Sequence, residues 1–251
     1  MIMDLHTHTV FSDGANTPEE MILAALDRGL SCIGLSDHSH LDWDDHGMTE
    51  EKTEAYRQEI RRLKNVYRDR IEVRCGLERD YYSDDFRTYD YVIGSVHWIL
   101  MPDGFPLAVD WTPEKLAQGV DRYFGGDWYA MTDAYFSLEA DVIRKTKCDI
   151  IGHFDLVAKF NEGNRFFDEN HPRYVAAWKR AADVLLQAGI PFEINTGAVS
   201  RGYRTDPYPA KPIRNYLRSH GAALILSSDT HQKENIAYAF ETCCQEITSG
   251  V

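Results

Sequence analysis

Short runs rich in Val, Ile and Leu alternate along this chain with longer segments whose apolar residues recur at three- and four-residue intervals. The short runs are bounded by Gly, Pro, Asp or Asn and read as strands, whereas the longer segments read as helices with one apolar face. Seven strand candidates stand out, at 2–6, 30–36, 71–77, 89–96, 149–153, 190–195 and 222–228. Helix starts are marked by Thr17-Pro18-Glu19-Glu20 and Thr112-Pro113-Glu114, each a capping Thr followed by Pro and by acids in the first turn. Gly29, Gly189 and Gly221 stand where a left-handed residue would end a helix. Strands and helices in strict alternation predict βαβ units around a parallel sheet.

The stretch at about 98–147 breaks this rhythm. It holds Trp98, Trp111 and Trp128, carries the pattern of two helices, and is expected to lie over one end of the sheet. No repeat, low-complexity segment or Pro- and Ser-rich linker divides the chain, so one domain over 1–251, with this helical insert, is the expectation.

Charge narrows the partners. Forty acids against 27 bases leave a net charge of −13, and Lys and Arg cluster nowhere, which argues against nucleic acid and anionic membrane. No apolar run approaches the roughly 20 residues of a membrane helix, and no basic-then-apolar leader opens the chain. Cys32, Cys75, Cys148, Cys243 and Cys244 form no CxxC pair, which suits reduced thiols in a cytoplasmic protein. No feature specifies an oligomeric state. An anionic substrate would find its positive charge in bound metal ions.

The candidate chemistry sits where the strands end: His6 and His8, Asp37 and His38, Glu78, His97, His153, Asn195, then Asp229 and His231. In a barrel of parallel strands those ends share one mouth, the place where such barrels carry their active sites. Side chains at i and i+2 of a strand share a face, so His6-Thr7-His8 can offer two imidazoles to one ion, and Asp229-Thr230-His231 repeats the device. Six imidazoles with two or three carboxylates exceed the ligand set of one zinc ion, and burying them without a shared charge would cost kcal/mol per group. The nitrogen-rich set suits Zn, Mn or Fe rather than Mg or Ca.

HTHTVFSDG, SDHS, GLE, GSVH, GHFD and SDTH, in this order, resemble the motifs of the polymerase and histidinol phosphatase (PHP) family, and with EINTG at 193–197 they look most like its stand-alone histidinol-phosphatase branch. The resemblance implies a distorted (β/α)7 TIM-like barrel with three divalent ions at its mouth. It also implies their ligands: His6, His8, Glu78 and Asp229 for one, Glu78, His97 and His153 for a second, and Asp13, His38 and His231 for the third. FSDG by itself is an ordinary turn, and only the resemblance makes Asp13 a ligand.

Such a centre fits hydrolysis of a small phosphate monoester, with a metal-bridging hydroxide as nucleophile and fixed cations against the developing charge. By the resemblance the ester is L-histidinol phosphate, a step of histidine biosynthesis; another small phosphate, a nucleotide or phosphotyrosine are the alternatives, and a non-catalytic metal-binding module is the remote one. Arginine matches phosphate with a planar fork, so Arg201 is the first candidate to bind it and Arg165 the second, followed by Arg204, Lys159 and Asn195. His40 is a candidate proton donor to the leaving group. His46, His171 and His220 receive no role.

Overall fold

The structure, a computed structural model, describes residues 2–249, with side chains described as far as Cys244. Seven strands form one parallel sheet: β1 (Met3–Asp4), β2 (Cys32–Leu35), β3 (Glu72–Asp80), β4 (Tyr91–Ser95), β7 (Ile150–Ile151), β8 (Phe192–Asn195) and β9 (Leu224–Ser227), neighbours in that order. Between β4 and β7 stand two further short strands, β5 (Trp98–Leu100) and β6 (Pro106–Ala108), paired as an antiparallel hairpin. The sheet curls until its edges meet at a parallel bridge between Thr7 and Thr230, where His8 N–H donates to the Thr230 carbonyl at 2.9 Å. Asp4 pins the same seam, its carboxylate accepting from the backbone N–H of Ser228 at 3.0 Å and of Ala237 at 2.9 Å. The result is a nearly closed, distorted TIM-like α/β barrel.

Helices α1 (Pro18–Asp27) and α2 (Glu50–Tyr67) cover the first strands. Thr17 caps α1 in a full capping box with Glu20, and Gly29, Gly189 and Gly221 take left-handed φ values of 72°, 68° and 80°, as their places in the sequence predict. The segment after β4 differs from expectation. Instead of two helices it has the β5–β6 hairpin followed by three helices, α3 (Pro113–Phe124), α4 (Trp128–Glu139) and α5 (Val142–Thr146). The hairpin runs are three residues long, too short for periodicity to reveal. Helices α6 (Pro172–Leu186), α7 (Gly197–Ser200), α8 (Lys211–Ser219) and α9 (Phe240–Ser249) complete the chain.

Two apolar cores surround the barrel, one joining α1 and α2 to β2 and β3, the other joining the insert and α6 to the later strands. A third, small one fills the barrel with Leu5, Cys32, Tyr91, Ile93 and Ile150. The Tyr91 ring fits there because Gly34 and Gly76 flank it: a Cβ at Gly34 would lie 2.0 Å from its hydroxyl oxygen, one at Gly76 2.2 Å from its ring. Above this apolar plug the interior turns polar, because the strand ends carry His, Asp and Glu.

Candidate metal centre

Glu78 is the hub. It is buried on β3, and its Oε2 lies 2.8 Å from His38 Nδ1, 3.2 Å from His6 Nε2 and 3.5 Å from His8 Nε2. Its Oε1 lies 2.9 Å from His153 Nε2 and 3.3 Å from His97 Nε2, and accepts from the Ser95 hydroxyl at 2.7 Å. Across the mouth, Asp229 Oδ1 stands 3.3 Å from His8 Nε2, and Asp13 Oδ2 stands 3.2 Å from His231 Nε2. His8 is stacked between His38 and His231, with centroid distances of 4.3 and 4.2 Å. Asp229 holds a left-handed φ of 48°, rare outside glycine, and such strain is a known companion of functional sites.

Three groups emerge in which every residue offers a ligand atom within 4.8 Å of the others: His6, His8 and Asp229; His38, Glu78 and His97; and His8, Asp13, His38 and His231. The donor set fits a divalent transition metal, since imidazole nitrogen and carboxylate oxygen dominate and no thiolate takes part. Unmet demand gives the sharper test. His6 Nε2, both nitrogens of His8, Glu78 Oε2 and His153 Nδ1 are buried without a well-aligned hydrogen bond among the described residues, close as several of them lie to one another. Burying such atoms costs on the order of 1–3 kcal/mol each, and for those aimed into the cluster a cation removes that cost.

The electrostatics agree. Burial opposes charge on His6 and His38, yet Glu193, Glu78 and Asp229 hold His6 well above its ordinary range, and Glu78 with Asp13 raises His38 to about 9. His97 is likewise raised, by Glu78 and Asp80 against burial. His8 moves the other way: burial and the neighbouring His231 and His38 depress it to about 3. Glu78 and Asp229 stay ionised well below the ordinary range, the surrounding cations outweighing burial. Without metal, protons on imidazoles neutralise the acids. Metal ions would take the protons' place.

Several supporting residues gave little sign in the sequence. Glu193 on β8 meets His6 Nδ1 at 2.7 Å and accepts from the backbone N–H of His153 at 3.1 Å, so it orients the His6 imidazole and pins the backbone that carries His153. Asp80 lies 3.2 Å from His97 Nδ1 and sits two residues beyond Glu78, on the same strand face, which was its one readable signal. Asp37 belongs to none of the three groups: it accepts from Thr9 and Ser12 and so fixes the loop that presents Asp13.

A cavity of about 350 Å³ opens on the cluster. Asp13, His38, His97, His153, Asp229 and His231 form its metal side, and Arg201, Lys159, Asp110, His46 and Trp111 are among the residues of the remaining wall.

Comparison with known proteins gives this geometry its relatives. The chain matches the PHP domain family over residues 4–197. The chain belongs to the PHP family, in its histidinol-phosphatase branch. It is 31% identical to a Deinococcus radiodurans protein named probable histidinol-phosphatase, over 98% of this chain and 92% of that protein. It is 26% identical to the histidinol-phosphatase of Bacillus subtilis, over 95% and 96%. Among solved structures, the histidinol phosphate phosphatase of Lactococcus lactis complexed with zinc, L-histidinol and phosphate superimposes with a TM-score of 0.73 at 22% identity, covering 98% of this chain and 92% of that one. This PHP protein is accordingly a hydrolase, a metal-dependent phosphatase. No helix among its described residues is long and apolar enough to cross a membrane.

For a PHP phosphatase the placement of the remaining basic residues matters, and the structure separates them. Arg201 lines the cavity, its guanidinium donating to the Asp229 carboxylate at 3.2 Å and to the Asp229 carbonyl at 3.2 Å. Gly197 makes room for it, since a Cβ there would fall 2.8 Å from both the Arg201 guanidinium and Asp229. Lys159 lines the cavity but donates to Asp110.

Three of the expected residues lie outside the lining of this cavity. Arg204, three residues from Arg201, turns away: it is buried against Glu169 at 2.9 Å and the Ala158 carbonyl, facing a separate cavity. Arg165 is exposed over the Phe166 ring and does not line the site cavity. His40 faces Asp42 at 3.3 Å, also outside the lining. All three sit in irregular segments, where no period tells which way a side chain turns. Asn195 is buried and ties its own loop, accepting from Gly197 N–H at 2.9 Å. Conversely His46, given no role from sequence, lines the cavity, while His171 caps α6 and His220 ends α8.

Proposed function

We propose that this protein hydrolyses L-histidinol phosphate to L-histidinol and phosphate at a centre of three divalent ions, Zn, Mn or Fe. The observation that carries the reading is the cluster of imidazole and carboxylate groups gathered from the ends of β1, β2, β3, β4, β7 and β9, several of whose buried atoms lack a hydrogen-bond partner. The relatives' names support the substrate. In this reading His6, His8, Glu78 and Asp229 hold one ion, Glu78, His97 and His153 a second, and Asp13, His38 and His231 the third.

When bound, the ions supply a nucleophile from water at neutral pH and fixed positive charge for the phosphate oxygens. The chain's own groups do the rest. Arg201, already at the edge of the cluster, presents its guanidinium to phosphate oxygens. Glu193 and Asp80 keep His6 and His97 in the orientation that points one nitrogen inward. Trp98, buried beside the mouth, and Leu156 narrow the water-accessible space around the ester.

The test measures bound metal and phosphate release together on a panel of L-histidinol phosphate, p-nitrophenyl phosphate, a sugar phosphate and a mononucleotide. The expected result is kcat/KM at least about tenfold higher for L-histidinol phosphate (~1.4 kcal/mol), abolished by chelation and restored by added metal. Turnover that survives complete metal removal, or no preference across the panel, refutes it.

A further inference from the structure

Phosphate at the metal cluster explains only part of the cavity's lining. Apart from the ligand groups, two carboxylates line it, Asp44 and Asp110. A phosphate dianion is repelled by both, so their presence calls for another part of the substrate. Asp44 Oδ1 accepts from the His46 backbone N–H and faces its Nδ1, both at 3.0 Å. Asp110 is the carboxylate next to the indoles, directly before Trp111 and just after the hairpin that carries Trp98. Its Oδ2 accepts from Lys159 at 3.2 Å, while its Oδ1 takes no hydrogen bond from any described residue. Lys159 also donates to the Asp110 backbone carbonyl at 2.8 Å, which fixes this stretch of chain. Beside it stand two indoles, Trp98 and Trp111, with ring centroids 6.3 Å apart, the first buried and the second 53% exposed. A carboxylate with one open oxygen next to aromatic walls is the chemistry that recognises an organic ammonium.

We propose that Asp110 selects the alcohol part of the substrate, its free carboxylate oxygen accepting a hydrogen bond from an ammonium on that alcohol while Trp98 and Trp111 wall the remainder. The proposal rests on the phosphatase reading above and deepens it: the preferred esters are those of a cationic amino alcohol. Asp110 is a binding residue and takes no part in the bond-breaking step.

The experiment compares kcat/KM for L-histidinol phosphate, phosphoethanolamine and p-nitrophenyl phosphate in the metal-loaded wild type, D110N and D110E, with metal content measured throughout. Asp110→Asn should lower the ratio of L-histidinol phosphate to p-nitrophenyl phosphate by about tenfold or more, mainly through KM, and Asp110→Glu should recover part of it. An independent measurement on the wild type is the affinity for L-histidinol against that for the same skeleton lacking the amine; the amine should tighten binding by about tenfold. A D110N enzyme with undiminished selectivity, an equal loss on all three esters, or equal affinities for the two alcohols overturns the role of Asp110. A wild type that favours both cationic esters equally removes the histidinol name and leaves that role standing.

Discussion

The rim of strand ends and the roof formed by residues 98–147 meet in one cavity and are built by different rules. Rim residues arrive one or two per strand, each fixed by the hydrogen-bonded register beneath it, as when His38 and Glu78 lie abreast on neighbouring strands. Roof residues such as Asp110 and Trp111 arrive from a hairpin and its exit, positioned by side-chain packing of Ile99, Leu107, Val109, Leu116 and Val120 in the core they share with α6 and the later strands. The rim gathers interdependent charges, so loss of one should be close to all-or-none. The roof contributes walls and single contacts, so its losses should be graded and substrate-dependent.

The largest expected effect breaks the rim at its hub. Glu78→Gln should lose at least one ion per chain and lower phosphate release by roughly 10³-fold, several kcal/mol of transition-state stabilisation. Elemental analysis beside a phosphate assay checks this, and a variant with full metal and full rate would show that the rim is not where catalysis resides.

Next comes the pair of arginines on one loop. Arg201→Ala should raise KM by roughly 10- to 100-fold, the worth of a charged hydrogen bond or two. Arg204→Ala should leave kcat/KM of the folded enzyme near wild type and instead cost on the order of 3 kcal/mol of stability, because Glu169 loses its buried partner. Denaturation and steady-state kinetics on the same two preparations separate the cases, and the reverse pattern would undo the placement.

A smaller effect concerns protons. In the metal-free protein His6 and His97 are held well above their ordinary range and His38 at about 9, so at pH 7 they carry protons that metal must displace. Apparent metal affinity should therefore fall as pH falls, by about tenfold per pH unit for each proton displaced. Calorimetry in buffers of different ionisation enthalpy reads that release directly; pH-independent affinity would contradict it.

The smallest lies under the roof. Glu139 on α4 is fully buried, and desolvation raises its carboxyl well above the ordinary range despite a hydrogen bond donated by Tyr135 at 2.8 Å. Unfolded, it ionises near about 4.3. The folded state therefore binds the proton more tightly. That contribution is fully present below the unfolded value and is lost as pH climbs through the raised folded value. Glu139→Gln keeps an acceptor for Tyr135 and has no proton to lose, so it should gain on the order of 1–3 kcal/mol on wild type between pH 4 and pH 7. Urea unfolding at both pH values measures it, and a constant difference would mean that the buried carboxyl is ionised in the folded state.

Reading the chain in order reaches most of the rim. Parallel strands must point their ends one way, so the histidines and acids that close them had to meet, and Thr17, Thr112 and the three helix-ending glycines mark element boundaries by local chemistry. Glu193 escaped because an acid inside an apolar strand looks the same whether it faces solvent or an imidazole. Arg201 and Arg204 show the limit most clearly. Three residues apart, they differ only in which way the loop turns, and that is decided by Asp229 and Glu169, contributed from elsewhere in the chain, with room left by Gly197.

What this amino-acid sequence determined alone was the alternation of strands and helices and the residue types at the strand ends, because period and capping act over a few neighbouring residues. Only the tertiary structure decided which arginine faces the cavity, which carboxylates orient the imidazoles and what forms the roof, because those contacts join residues tens to hundreds of positions apart and depend on packing that no local pattern encodes.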